Sequence, residues 1–245
     1  MKKILAILIC TIMCVTLLAS CGGKCDNHAD EDGDGICDLC NLEYEFLFKL
    51  TADGTGYELD RVGAGYRGGD VVIPLSHKVL PVVEIGFGAF KSEKKLTSVL
   101  IPDSVTLISD DAFENQTSLT SVNVGKNVVT IGASAFEGCT SLKTVVISDA
   151  TQCIYASAFE GCTALETVTL GKNVKEITGS AFENCTSLKT ISIPASIEKM
   201  GAWVFNGNTM TDIYLGVSAP GEKWSEKWSE GINGDANIHW ASPNP

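Results

Sequence analysis

Residues 131–199 read IGASAFEGCTSLKTVVISDATQC (131–153), IYASAFEGCTALETVTLGKNVKE (154–176) and ITGSAFENCTSLKTISIPASIEK (177–199). The three copies open on Ile131, Ile154 and Ile177, 23 residues apart each time. A fixed period of this length predicts stacked supersecondary units rather than one closed domain. A single unit cannot bury its own apolar edge, whereas neighbours in register bury a continuous core.

The pattern runs outward in both directions. Copies open at Ile85 (IGFGAFKSEKKLTSVLIPDSVTL) and Ile108 (ISDDAFENQTSLTSVNVGKNVVT), and a degenerate one opens at Met200 (MGAWVFNGNTMTDIYL). The sixth position is always phenylalanine: Phe90, Phe113, Phe136, Phe159, Phe182 and Phe205. The twelfth is Leu96, Leu119, Leu142, Leu165 and Leu188, and the last copy slips by one residue to supply Met210. Alternation in Lys143–Ile147 predicts a short strand, with Val145 and Ile147 inward and Thr144 and Val146 outward. The Ala-Phe-Glu-Gly-Cys-Thr portion lacks that alternation and suits a tight helical turn, with Ala135 small where coils approach.

The pattern I-x-x-x-A-F-x-x-C-x-x-L-x-x-[VI]-x-[IVL] resembles the Treponema-type, BspA-like leucine-rich repeats over about Val71 to Tyr214. Departures are Glu93 and Gln116 where later copies carry Cys, and Thr151 where others carry Val or Ile. The resemblance implies a leucine-rich repeat right-handed stack, and a bacterial cell-surface or secreted protein acting in adhesion and protein binding. The fold expected is therefore a β-rich repeat solenoid with short helical turns, its repeats spanning 85–216. YEFLFKL-TADGTG-YELDRVG predicts a β-hairpin within an N-terminal cap over 46–84. GEKWSEKWSEGINGDANIHW predicts a Trp-rich C-terminal cap over 217–245, with Ile238–Trp240 as a closing strand.

Residues 1–20 read as a signal peptide: Lys2 and Lys3 precede the apolar run Ile4–Leu18, and Leu18-Ala19-Ser20 places small residues before Cys21. Leu18–Cys21 resembles a bacterial lipoprotein lipobox, which implies lipid attachment at Cys21 and a membrane partner through that anchor. Residues 21–45 form a tether carrying an acidic Cys/His loop. Asp30, Asp32, Asp34 and Asp38, with Gly35, follow calcium-loop spacing, although Asn41 stands where a bidentate glutamate is usual. Cys25, His28, Cys37 and Cys40 form two ligand pairs suited to tetrahedral zinc. A third reading is a Cys25–Cys40 disulfide with solvated acids. The sequence leaves calcium, zinc and no metal open.

Function falls to the surface. The outward strand positions Asn123, Thr144, Val146, Thr167, Thr169, Thr190, Ser192 and Tyr214 form a candidate binding face, because solenoids use extended faces for recognition. The bland reading is that Thr and Ser are good solvated strand residues. A net charge of −12 argues against a nucleic-acid partner. No G-x-S-x-G elbow, P-loop or H-E-x-x-H occurs, and no enzyme is expected. The expectation is a cell-surface binding or adhesion module for an extracellular protein or glycan. The alternatives are a metal-dependent structural envelope protein with the solenoid as spacer, and an accessory module of a surface hydrolase system.

Overall fold

The structure, a computed structural model, describes residues 46–63, 66, 68–91, 96–232 and 236–242. The signal segment, Cys21 and the ligand loop expected within 1–45 lie outside the described residues. Two compact units are present: Met1–Leu47 with Val62–Tyr66, and Phe48–Arg61 with Arg67–Pro245. In the first, the Tyr66 N–H donates to the Gly63 carbonyl at 3.0 Å. The second carries the repeats.

The strands are β1 (Phe46–Leu50), β2 (Tyr57–Val62), β3 (Gly69–Val72), β4 (Ser76–His77), β5 (Leu80–Ile85), β6 (Leu96–Leu100), β7 (Leu107–Ile108), β8 (Ser121–Asn123) and β9 (Thr130–Ile131). There follow β10 (Thr144–Val146), β11 (Cys153–Ile154), β12 (Thr167–Thr169), β13 (Glu176–Ile177), β14 (Thr190–Ile193), β15 (Lys199–Met200), β16 (Asp212–Leu215) and β17 (Asn237–Trp240). Each full repeat thus gives one longer and one two-residue strand. The two-residue strands continue a sheet begun by β1, β2 and β5, in the order β1-β2-β5-β7-β9-β11-β13-β15. The longer ones form two sheets, β12-β10-β8-β6-β3 and β14-β16-β17.

Coils pair in parallel one repeat apart: Ile85↔Ile108, Ile108↔Ile131, Ile131↔Ile154, Ile154↔Ile177 and Ile177↔Met200. This register follows from the period, since a slip by one residue would turn every inward side chain out. The expected hairpin is β1 beside β2, joined by a turn in which the Thr51 N–H donates to the Gly56 carbonyl at 2.9 Å. A second hairpin, β4 with β5, is antiparallel and is inserted into the first coil.

The core is a set of columns. Phe90, Phe113, Phe136, Phe159, Phe182 and Phe205 are fully buried and stack ring on ring, with centroids 4.9, 5.0, 5.2, 5.3 and 6.0 Å apart. That spacing is close to the strand separation, so the backbone repeat sets the ring repeat. Ala112, Ala135, Ala158 and Ala181 are fully buried where backbones cross-link coils; the Phe113 N–H, for example, donates to the Ala135 carbonyl at 2.8 Å.

The segment expected as a helical turn is a run of tight turns, and no helix occurs among the described residues. Its cause is two left-handed residues per coil. Gly88, Asp111, Ser134, Ser157, Ser180 and Trp203 share one such column, and Asn115, Gly138, Gly161, Asn184 and Gly207 the other. Positive φ interrupts a right-handed helix, and small or Asx residues adopt it at least cost.

The chain after Met210 makes a further coil against the last repeat. The Ser225 N–H donates to the Met200 carbonyl at 2.8 Å, continuing the short-strand ladder and setting Trp224 beyond Met200 in the Ile column. The expected closing strand is β17, parallel to β16 with Ile213↔Ile238. Trp224, Trp228 and Trp240 form one ring cluster, with Trp224 and Trp228 buried.

Candidate binding face

The longer strands present their non-core residues in rows. Parallel register brings together Thr144 with Thr167, Val146 with Thr169, Ser98 with Ser121 and Leu100 with Asn123. It also joins Thr190 to Asp212 and Ser192 to Tyr214. Of the residues predicted for the face, Asn123, Thr144, Val146, Thr167, Thr169 and Thr190 are exposed, while Ser192 and Tyr214 are half-buried. The rows are interrupted between β12 and β14, which touch without joining one sheet.

Two ends of the face escaped sequence reasoning. At one end β3 pairs with β6, placing Asp70 beside Ser98 and Val72 beside Leu100. At the other, β17 pairs with β16, placing Asn237 beside Asp212 and His239 beside Tyr214. The available signal was the strand pattern itself, but these partners are not 23 residues apart, so a fixed-period reading passes over them.

The face is chemically graded. At its β3 end Val72 and Leu100 are 67% and 42% exposed, and Val146, on β10 nearer the other edge of that sheet, is 56% exposed. Asp70 accepts from Ser98 Oγ at 2.6 Å and Thr97 Oγ1 at 2.7 Å, and these bonds, Ser98 first, hold its carboxyl below the usual range. At the β17 end, His239 Nε2 lies 2.8 Å from Asp212 Oδ1, and Asn237 Nδ2 donates to the same oxygen at 3.2 Å. The His239 bond, then those of Thr211 and Asn237, lower the Asp212 carboxyl. The rings of Tyr214 and His239 stack 4.6 Å apart. Ser192 Oγ lies buried with no hydrogen-bond partner.

A column of alternating charge borders the face: Asp103, Lys126, Asp149 and Lys172, one repeat apart. Lys126 Nζ pairs with Asp103 at 3.2 Å and Lys172 Nζ with Asp149 at 2.7 Å. Backbone N–H groups strengthen both: Lys126 N–H donates to Asp103 and Lys172 N–H to Asp149, each at 3.0 Å. The Asp103 carboxyl is lowered mainly by that backbone bond, and the Asp149 carboxyl mainly by the Lys172 ammonium.

The cysteine column is structural. Cys139, Cys162 and Cys185 are free and fully buried, and their Sγ atoms reach the carbonyls of Phe113, Phe136 and Phe159 at 3.3, 3.2 and 3.1 Å. Gln116 and Asn208, in the same column, donate through their amides to Phe90 and Phe182. The column therefore selects a buried donor to the Phe carbonyl of the preceding coil, which explains the departure at Gln116. Thr151 departs in the same way, its hydroxyl donating to the Val128 carbonyl at 2.7 Å. Burial pushes the Cys162 thiol up to about 12 and those of Cys139 and Cys185 well above their usual value. Such thiols stay protonated and unreactive at neutral pH. Among the described residues no group of three or more His, Cys, Asp or Glu side chains is placed to hold a metal. Asp30, Asp32, Asp34, Asp38, Cys25, His28, Cys37 and Cys40 lie outside them.

Trp203 stands apart from its column. It adopts φ +56° where other coils place Gly, Asp or Ser, and it remains 43% exposed with Lys227 Nζ 5.4 Å from its ring. A left-handed conformation costs a bulky residue roughly 1–2 kcal/mol, and Asn tolerates it better. Trp203→Asn is accordingly expected to raise unfolding stability by about 1 kcal/mol, read from urea denaturation. An unchanged or lower midpoint counts against strain at this site.

Known proteins agree with this architecture. A comparison with curated protein sequences gave no match. The crystal structure of a leucine-rich repeat protein of T. pallidum is similar at 27% identity and a TM-score of 0.64, over 79% of this chain and 97% of that one. A leucine-rich cell surface protein of Faecalibacterium prausnitzii matches at 29% identity and a TM-score of 0.53, over 71% of this chain. The pneumococcal vaccine antigen PcpA shares the fold at 19% identity and a TM-score of 0.61, over 78% of this chain. The chain spans 54% and 50% of the latter two proteins. The model of the BspA type leucine rich repeat region matches residues 83–211 in six copies. With more than half of its length in those copies, each built on the stacked Phe and Ile columns described above, the chain belongs to the BspA-type leucine-rich repeat family.

Proposed function

We propose that this protein is a cell-surface module that recognises an extracellular protein through the outward face of its longer strands. The observation that carries this reading is the pair Val72 and Leu100, large apolar side chains exposed on the neighbouring strands β3 and β6 where the core does not use them, with Val146 exposed beyond Asn123 on β10 of the same sheet. Apolar side chains grouped on a surface mark interaction sites, whereas scattered ones carry no such meaning. Ser or Thr at these positions would serve the sheet equally well, as Thr169 does one coil on from Val146. The F. prausnitzii relative, described as a cell surface protein, supports the location.

The test is a binding screen of the full chain against extracellular-matrix proteins and a panel of glycans, with a variant carrying Leu100→Asp and Thr167→Arg. Both side chains are outward, so folding survives. The variant is expected to lose protein binding by about tenfold or more, as central contacts do at interfaces. Undiminished protein binding, or binding to glycans alone, would replace the reading.

A further inference from the structure

An open cavity of about 550 Å³ lies between the coils of β8 and β10, with Val122, Val124 and Val146 as its apolar lining and Asn123 as its amide. Ser148 lies in the same wall, and Lys126 and Asp149 add opposite charges. Their place in the charge column gives the cavity its meaning. The column Asp103, Lys126, Asp149, Lys172 is closed two by two, Asp103 with Lys126 and Asp149 with Lys172. Among the ion pairs of the described residues none joins Lys126 to Asp149, and the cavity opens at that break. An apolar recess is therefore flanked by one cation and one anion that do not neutralise each other across it.

We propose that this cavity is the anchor site of the recognition face, and that it takes an extended polypeptide segment presenting an aliphatic side chain between an acidic and a basic residue. The proposal rests on the protein-binding reading above and names the chemistry of the partner. Three features select this occupant. The volume falls in the range of small-ligand and side-chain pockets, roughly 300–1,000 Å³. The lining holds no aromatic ring on which a sugar could stack, and its one hydroxyl, that of Ser148, is already engaged with Thr151 Oγ1 at 3.3 Å. The paired wall charges match a segment with one residue of each sign, and such complementarity fixes register and orientation more than raw affinity. Acidic residues of the segment face Lys126 and basic ones face Asp149. The aliphatic side chain covers Val146, the exposed member of the apolar lining.

The experiment uses the full chain with isotope-labelled valine methyl groups and three synthetic peptides. One places leucine between glutamate and lysine, one replaces that leucine with serine, and one replaces both charged residues with serine. Saturable shifts of the Val122, Val124 and Val146 methyls are expected with the first peptide. The other two should bind about tenfold and about threefold more weakly, in line with the loss of an anchor and of rim charges. Val146→Asp should abolish the shifts of its neighbours. The combined Lys126→Gln and Asp149→Asn variant should erase the advantage of the charged peptide. Equal binding of the serine-centred peptide, non-saturating shifts, or shifts produced by neutral oligosaccharides and not by peptides would overturn the proposal. If Leu100→Asp with Thr167→Arg abolishes protein binding while Val146→Asp does not, the anchor site falls and the face stands. If neither variant changes binding, both fall.

Discussion

Phe159→Ala is expected to lower unfolding stability by about 4 kcal/mol, within the span measured for large-to-small changes at fully buried aromatic sites. The ring is fully buried and stacked on both sides, 5.2 Å from Phe136 and 5.3 Å from Phe182. Its removal withdraws apolar area from burial and opens a void that the coils cannot close. Backbone hydrogen bonds hold the spacing there, such as Phe159 N–H to the Ala181 carbonyl at 2.9 Å. Because each coil contacts only its neighbours, the damage is shared by two interfaces. Phe136→Ala combined with Phe159→Ala should therefore cost less than the sum of the single changes, since both delete the same ring contact. Urea denaturation followed by circular dichroism reads both effects. A single-site loss below about 1 kcal/mol would mean that the ladder is decorative rather than cohesive.

The second large effect is expected from the smallest change, Gly171→Ala. A Cβ at this position would stand 2.5 Å from the Ser148 carbonyl carbon and 2.9 Å from the Asp149 Cα, both backbone atoms of the preceding coil. Neither can swing aside as a side-chain tip would, so the coils must part locally, at an expected cost of about 3 kcal/mol. Gly125 and Gly216 meet the same obstacle against Pro102 and Ala195. Thermal melts of Gly171→Ala and Lys172→Ala make the comparison. The glycine variant should melt well below wild type and the lysine variant close to it, because an exposed ion pair contributes little. Equal melting points would show that the coil spacing is softer than the packing implies.

What the sequence revealed depended on period. Ile131, Phe136 and Leu142 recur at constant spacing because each coil must present the same inward shape to the next, so the coils and their register could be read directly. The left-handed residues were harder to see, since Ser134, Asn115 and Gly138 have no common side-chain chemistry and share only a backbone conformation. The donor column was disguised in the same way: Gln116, Cys139 and Asn208 look unrelated until each is found on a Phe carbonyl. The face was half visible. Thr144 and Thr167 could be placed outward from alternation alone. Val72 and His239 could not, because the β4–β5 hairpin and the lengthened last coil shift their partners away from the 23-residue spacing. The cavity was invisible, because nothing in the sequence says which lysine of an alternating column closes on which aspartate.

That alternation bears on how such an array can change length. Loss of the single repeat 108–130 would set Asp149 directly after Asp103, juxtaposing two anions at the border, whereas loss of 108–153 would set Lys172 after Asp103 and keep the pairing polarity. Recombination within this stretch is thus electrostatically neutral only in steps of two coils. The unit of duplication favoured by the charges is twice the unit seen in the hydrophobic pattern.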